Sequence, residues 1–145
     1  MATVVAQRTI SGTVAGAERI WCDTSGWARW VDGLDRVLEV SGAWPQPGGV
    51  VRWESGPAGR GQVAETVVQR RAGECIALDV RDDSIDGRQT VAFTPAPDGV
   101  HVTLELSYRI RRRSPVTPLI DRLFVRRAME QSLERTLARF GAQQR

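Results

Sequence analysis

The sequence predicts an α+β fold in which a seven-stranded, curved antiparallel sheet wraps a long C-terminal helix, with two short helices after the first strand. Three observations carry this. Six β-prone runs follow one another between residues 37 and 110, joined by turn-rich pieces too short for the crossover that parallel neighbours need. The last run alternates cleanly, with Val100, Val102, Leu104, Leu106, Tyr108 and Ile110 on one side and His101, Thr103, Glu105, Ser107 and Arg109 on the other. After it comes an amphipathic stretch from about Leu119 to Phe140, the only element long enough to cover the apolar side of such a sheet.

Each element follows from its residues. Val4 to Ile10 is short, β-prone and closed by Ser11-Gly12, and reads as the first strand. Ala15 to Asp23 places Ala17, Ile20 and Trp21 at helical spacing. Ser25-Gly26 interrupts it, and Ser25 is placed to cap a second short helix carrying Trp27, Trp30 and Val31. The strands that follow are Val37 to Val40, Val50 to Glu54, Gly61 to Gln69, Cys75 to Arg81, Arg88 to Phe93 and Val100 to Ile110. Pro115 and Pro118 lead into the final helix, whose buried stripe is predicted to run through Leu119, Leu123, Leu133, Leu137 and Phe140. No repeat or linker divides the chain, so residues 1–145 read as one domain.

Composition narrows the function classes. All 20 basic residues are arginine, as expected of a GC-rich genome such as an actinobacterial one. Residues 1–108 hold 10 Arg against 14 acids, whereas residues 109–145 hold 10 Arg against 3 acids. That asymmetry raises an anion-binding module as one reading, with nucleic acid or a membrane surface as the partner. The arginines are not interleaved with aromatics and point several ways around the helix, so a solvated face is expected and nucleic acid is not. No run approaches the roughly 18 apolar residues of a membrane span. Met1 to Val5 lacks the basic and apolar regions of a signal peptide, and a cytoplasmic location is expected. Cys22 and Cys75 match no metal or disulfide spacing and read as small buried hydrophobes; no metal or other cofactor is expected.

Ile10-x-Gly12, Ile20-Trp21-Cys22-Asp23-Thr24, Trp27-x-x-Trp30-Val31 and Asp98-Gly99-Val100-His101-Val102-Thr103-Leu104 stand in this order ahead of the Arg-rich last helix. In these features the chain resembles the START/Bet v 1-like (SRPBCC) superfamily, and more narrowly its bacterial polyketide cyclase/dehydrase-like branch. The resemblance spans essentially the whole chain. It implies the helix-grip fold and an internal cavity for a small hydrophobic molecule, lipid- or polyketide-like. Members include carriers, hormone-binding proteins and aromatase/cyclases, with no catalytic motif common to them.

The candidate site residues are polar groups that the pattern turns inward. Arg126 and Glu130 fall within the predicted stripe of the last helix, spaced to pair with each other, with Glu134 at its margin. An ionisable pair there either lines a hydrated cavity, or forms a structural ion pair or snorkels to solvent where the helix overhangs the sheet edge. Tyr108 shares the apolar side of the last strand. Glu65 alternates with Val63 and Val67; Arg8 has the parity of Ala6 and Ile10, but so close to a strand end a solvated edge arginine is the expectation. Trp21, Trp27 and Trp30 read as core, whereas Trp44 and Trp53 are freer to touch a ligand at a rim. His101 is expected in solvent. If these groups converge, an acid, a base and a cation become available for carbonyl chemistry. Binding or transport of a small hydrophobic molecule is the leading reading, a polyketide cyclase/dehydratase-type enzyme the alternative, and the anion-binding module the second alternative. A homodimer is left open.

Overall fold

The computed structural model describes residues 1–57, 59–111 and 118–144, with side chains from 118 to 122 excepted. Its elements are β1 (Ala2–Ile10), α1 (Val14–Cys22), a 3-10 turn (Thr24–Gly26), α2 (Trp27–Trp30), β2 (Leu34–Val40), β3 (Val50–Ser55), β4 (Gln62–Arg71), β5 (Cys75–Arg81), β6 (Ile85–Ala96), β7 (Gly99–Ile110) and α3 (Pro118–Ala142). The seven strands form one antiparallel sheet in the order β1-β7-β6-β5-β4-β3-β2. Every strand except β1 therefore lies beside its neighbour in sequence, as short connections require, and β1 closes on β7 with Ile10 opposite Val100.

The alternation in β7 sets the inside. Val100, Val102, Leu104, Leu106 and Tyr108 are all buried, while His101 lies on the outer side bonded to the side chains of Gln7 and Thr9. The edge strand β2 carries bulges on either side of the Arg36–Val37 pair and exposes Asp35, Arg36 and Glu39, which discourages pairing with another chain. Gly99 is required at the β6–β7 turn: with φ at +153°, any Cβ there would collide with the Ile10 carbonyl.

Below the sheet, α1 starts on a Thr13 side chain that accepts from the Gly16 N–H at 3.1 Å. It turns Ala17 and Trp21 inward. Ser25 is not the cap the sequence suggested: α2 starts after Gly26 with no side-chain cap, and Asp23 caps the 3-10 turn before it, its carboxylate accepting from the Ser25 N–H and hydroxyl. Three tryptophans then pack with the end of α3. Trp21 lies 4.7 Å from Trp30 by ring centroids, and Phe140 stands edge-on to both at 5.0 and 4.9 Å. Gly141 lets α3 approach β1, since a Cβ there would meet the Ile10 side chain at 3.0 Å.

An ionic latch holds the same end of α3. Asp32 accepts from Arg135 Nε at 3.0 Å, Arg139 Nη1 at 3.2 Å and the Ser132 hydroxyl at 2.9 Å. Burial pushes the Asp32 carboxyl up, but those hydrogen bonds and the two arginine charges outweigh it and hold the pKa below the usual range. The front of α3 is gripped less. Val125 and Met129 are only half-buried, and Leu123 and Phe124 are 64% and 75% exposed. The buried line thus runs through Val125, Met129, Leu133, Thr136, Leu137 and Phe140. Of the predicted stripe, Leu133, Leu137 and Phe140 belong to it, Leu123 does not, and the side chain of Leu119 lies outside the described residues.

Candidate functional site

The described cavity with buried polar walls lies between the tryptophan cluster, the sheet and α3, and has a volume of about 40 Å³. Trp21, Trp27, Trp30 and Trp53 form much of its wall, with Leu104 from β7 and Leu133 and Thr136 from α3. Its polar groups come from Glu65 on β4, Arg60 in the loop before it, Gln89 on β6, and Asp32 and Ser132, which are bonded to each other.

Strand register explains how these meet. Trp53 and Val51 face inward on β3, and Glu65 stands opposite Val51 on β4, so Trp53 and Glu65 are diagonal neighbours. The Trp53 indole N–H donates to Glu65 Oε2 at 2.6 Å. Glu65 is 5% exposed, and burial raises its pKa against the opposing effects of the Trp53 hydrogen bond and the Arg60 charge. Arg60 Nε donates to the buried Asp82, whose other oxygen accepts from the Ser84 and Ile85 N–H groups at 2.7 and 2.8 Å. That Asx turn fixes Asp82, and Asp82 holds the Arg60 guanidinium 5.5 Å from the Trp53 ring centroid. Two donors on residues of the cavity wall have no hydrogen-bond partner among the described residues: Arg60 Nη2 and the Trp30 indole N–H, whose nitrogen lies beside Gly26.

The raised Glu65 pKa has a consequence for stability. Above the ordinary 4.5, the folded chain keeps a proton that the unfolded chain releases. The group's contribution is therefore greatest below that value and declines as pH climbs toward the raised one. Urea midpoints measured at about pH 4 and about pH 8 should show wild type losing ground to Glu65→Gln at the higher pH. An unchanged difference between the two would mean that Glu65 titrates normally.

The other sequence-predicted groups are distributed differently. Tyr108 is buried on the inner side with its hydroxyl unpartnered among the described residues, and burial raises its pKa against the nearby charge of Arg126. Arg126 and Glu130 are themselves exposed, which corrects their expected burial. The stripe drawn through Leu119 and Leu123 rotated the helix too far; α3 presents Val125 and Met129 to the sheet instead. Arg8 is exposed, as expected of an edge arginine despite its inward parity, with its side chain alongside Gly141. Trp53 is not at a rim but 1% exposed. Trp44 is tied by its indole N–H to the Cys22 carbonyl at 2.8 Å and packs on Trp27. Cys22 and Cys75 are half-buried, and burial raises the Cys22 thiol to about 11.

Sequence reasoning missed Arg60, Asp82, Trp30 and Gln89 as site residues. Gln89 was legible, since it shares the parity of Val91 and Phe93 on β6. The Arg60–Asp82 pair joins two loops 22 residues apart, and no local spacing signals it.

Among the described residues there is no cluster of acidic, His or Cys side chains able to hold a metal, and no helix long and apolar enough to cross a membrane. The family described as polyketide cyclase / dehydrase and lipid transport matches residues 1–144. The chain belongs to that family, within the START/Bet v 1-like superfamily its motifs resemble. Similar solved structures include a Chromobacterium violaceum protein, 17% identical over 99% of this chain and 98% of the other, with a TM-score of 0.74. A Thermus thermophilus protein is 18% identical over 97% of this chain and 95% of the other, with a TM-score of 0.74. The di-domain aromatase/cyclase StfQ of the steffimycin biosynthetic pathway is 15% identical, with a TM-score of 0.79; the match covers 98% of this chain and half of that one (50%). At such identities these structures establish the fold. No curated protein matches the chain.

Proposed function

We propose that this protein binds a small, largely apolar molecule between its sheet and C-terminal helix, with the molecule's polar end in the cavity beside Trp53 and Glu65. The observation that carries the reading is the conjunction of aromatic walls with buried polar groups that the fold leaves unpartnered. A core needs no such groups, and burying them without partners costs about 1–3 kcal/mol each. Membership of a family covering lipid transport and polyketide cyclisation supports it. At about 40 Å³ the cavity is far below the roughly 300–1,000 Å³ of a drug-sized site, so it receives only the tip. The body lies beneath the half-buried Val125 and Met129, where α3 is held least, and Tyr108 offers a second polar contact.

A cyclase or dehydratase role is the second reading, favoured by one observation: a buried carboxyl and a guanidinium face the same cavity. Together they could polarise a carbonyl oxygen. The anion-binding reading has less support, since Arg135 and Arg139 are engaged by Asp32 and Arg111 by Asp86 and the Asp82 carbonyl. The binding reading is tested by following tryptophan indole N–H signals during titration with a small aromatic ketone. Trp30 and Trp53 should move; a set in which neither moves contradicts it.

A further inference from the structure

The nature of the ligand's polar end follows from the donors that surround it, given the binding reading above. Trp30 is 1% exposed, and its indole N–H has no partner among the described residues. Arg60 Nη2 is in the same position. Glu65 Oε2 already accepts from Trp53, and burial shifts this carboxyl toward its protonated form, which can also donate. Gln89 can serve as donor or acceptor. Asp32, the carboxylate on the same wall, already accepts from Ser132, Arg135 and Arg139, so the unpartnered groups are donors and the cavity is built to meet an acceptor.

Charge narrows the class further. The Arg60 cation is balanced by buried Asp82, its ion-pair partner. A carboxylate entering the cavity would meet no spare positive charge and would surrender its hydration. The volume also matters: a water needs about 10–15 Å³ by this measure, so about 40 Å³ admits a carbonyl group but no hydrated anion.

We infer that the cavity selects an uncharged carbonyl oxygen on an otherwise apolar molecule and discriminates against a carboxylate, with the Trp30 N–H as its principal selecting donor.

Three ligands of one ring test this by NMR titration of the intact chain at neutral pH: ethylbenzene, acetophenone and benzoate. Wild type should bind acetophenone about tenfold more tightly than ethylbenzene, the worth of one good hydrogen bond to a buried donor, with benzoate weakest. Trp30→Phe keeps an aromatic ring in the cluster and removes an N–H that has no protein partner to lose. It should bring acetophenone down to the level of ethylbenzene while ethylbenzene changes by less than about twofold. Equal binding of all three, or a preference for benzoate, overturns this inference and leaves the binding reading standing. Parallel loss of both neutral ligands in Trp30→Phe makes Trp30 structural and overturns its selecting role. Binding of none of the three overturns the binding reading itself. If the variant fails to fold, the wild-type ranking alone decides.

Discussion

Phe140→Ala is expected to lower the stability of this protein by about 3–5 kcal/mol, the usual cost of deleting a buried phenylalanine. Phe140 is fully buried and stands edge-on to Trp21 and Trp30, so the deletion removes two aromatic contacts along with the apolar area. The neighbouring rings belong to short helices that cannot move far, because Trp27 is tied to the Trp21 carbonyl and Thr136 to the Asp32 N–H. The resulting hole therefore collapses poorly. Since domain stabilities run about 5–15 kcal/mol, much of the total is at stake. Phe124→Ala, on the same helix but 75% exposed, should stay within about 0.5 kcal/mol. Urea denaturation of the two variants checks the rotation of α3: comparable losses would mean that the wrong line of the helix had been taken as buried.

Asp82→Ala is expected to cost about 3–5 kcal/mol, as removal of one member of a buried ion pair does. The Arg60 side chain keeps 25% of its exposure, which places the loss toward the lower end. Two effects combine. The Ser84 and Ile85 amides lose their acceptor at the start of β6, and the Arg60 guanidinium loses the partner that aims it over Trp53. Asp82→Asn separates them, since it retains an acceptor for the turn and removes only the ion pair. Its loss should be clearly smaller. Equal losses in the two variants would assign the whole effect to the charge.

The sheet was legible because its signals are local and repeated. Alternation from Val100 to Tyr108 fixed which side is inward, and short turns left no topology but a meander for six strands. Parity reached the site at Glu65, and pointed also to Gln89, which was missed. The site was misread on α3, where a stripe drawn by leucines pulled Arg126 and Glu130 inward. Leucine at an exposed helix position is ordinary, and Leu123 is one. The residues that define the cavity chemistry, Arg60 and Asp82, are brought together by two loops across the sheet end. Such a contact depends on tertiary closure and leaves no period in the sequence. Trp30 was assigned to the core, correctly; that its N–H would lack a partner depends on the placement of every neighbouring acceptor.

The most direct measurement is a two-dimensional NMR titration of the five tryptophan indole N–H groups with acetophenone, assigned by single Trp→Phe variants. The account predicts saturable movement of the Trp30 and Trp53 signals with one common Kd. Trp44, bonded to the Cys22 carbonyl outside the cavity wall, should hold still and serve as the internal control. Saturable binding in which Trp30 and Trp53 stay fixed, or in which Trp44 alone moves, would place the ligand elsewhere and contradict a binding cavity between sheet and helix.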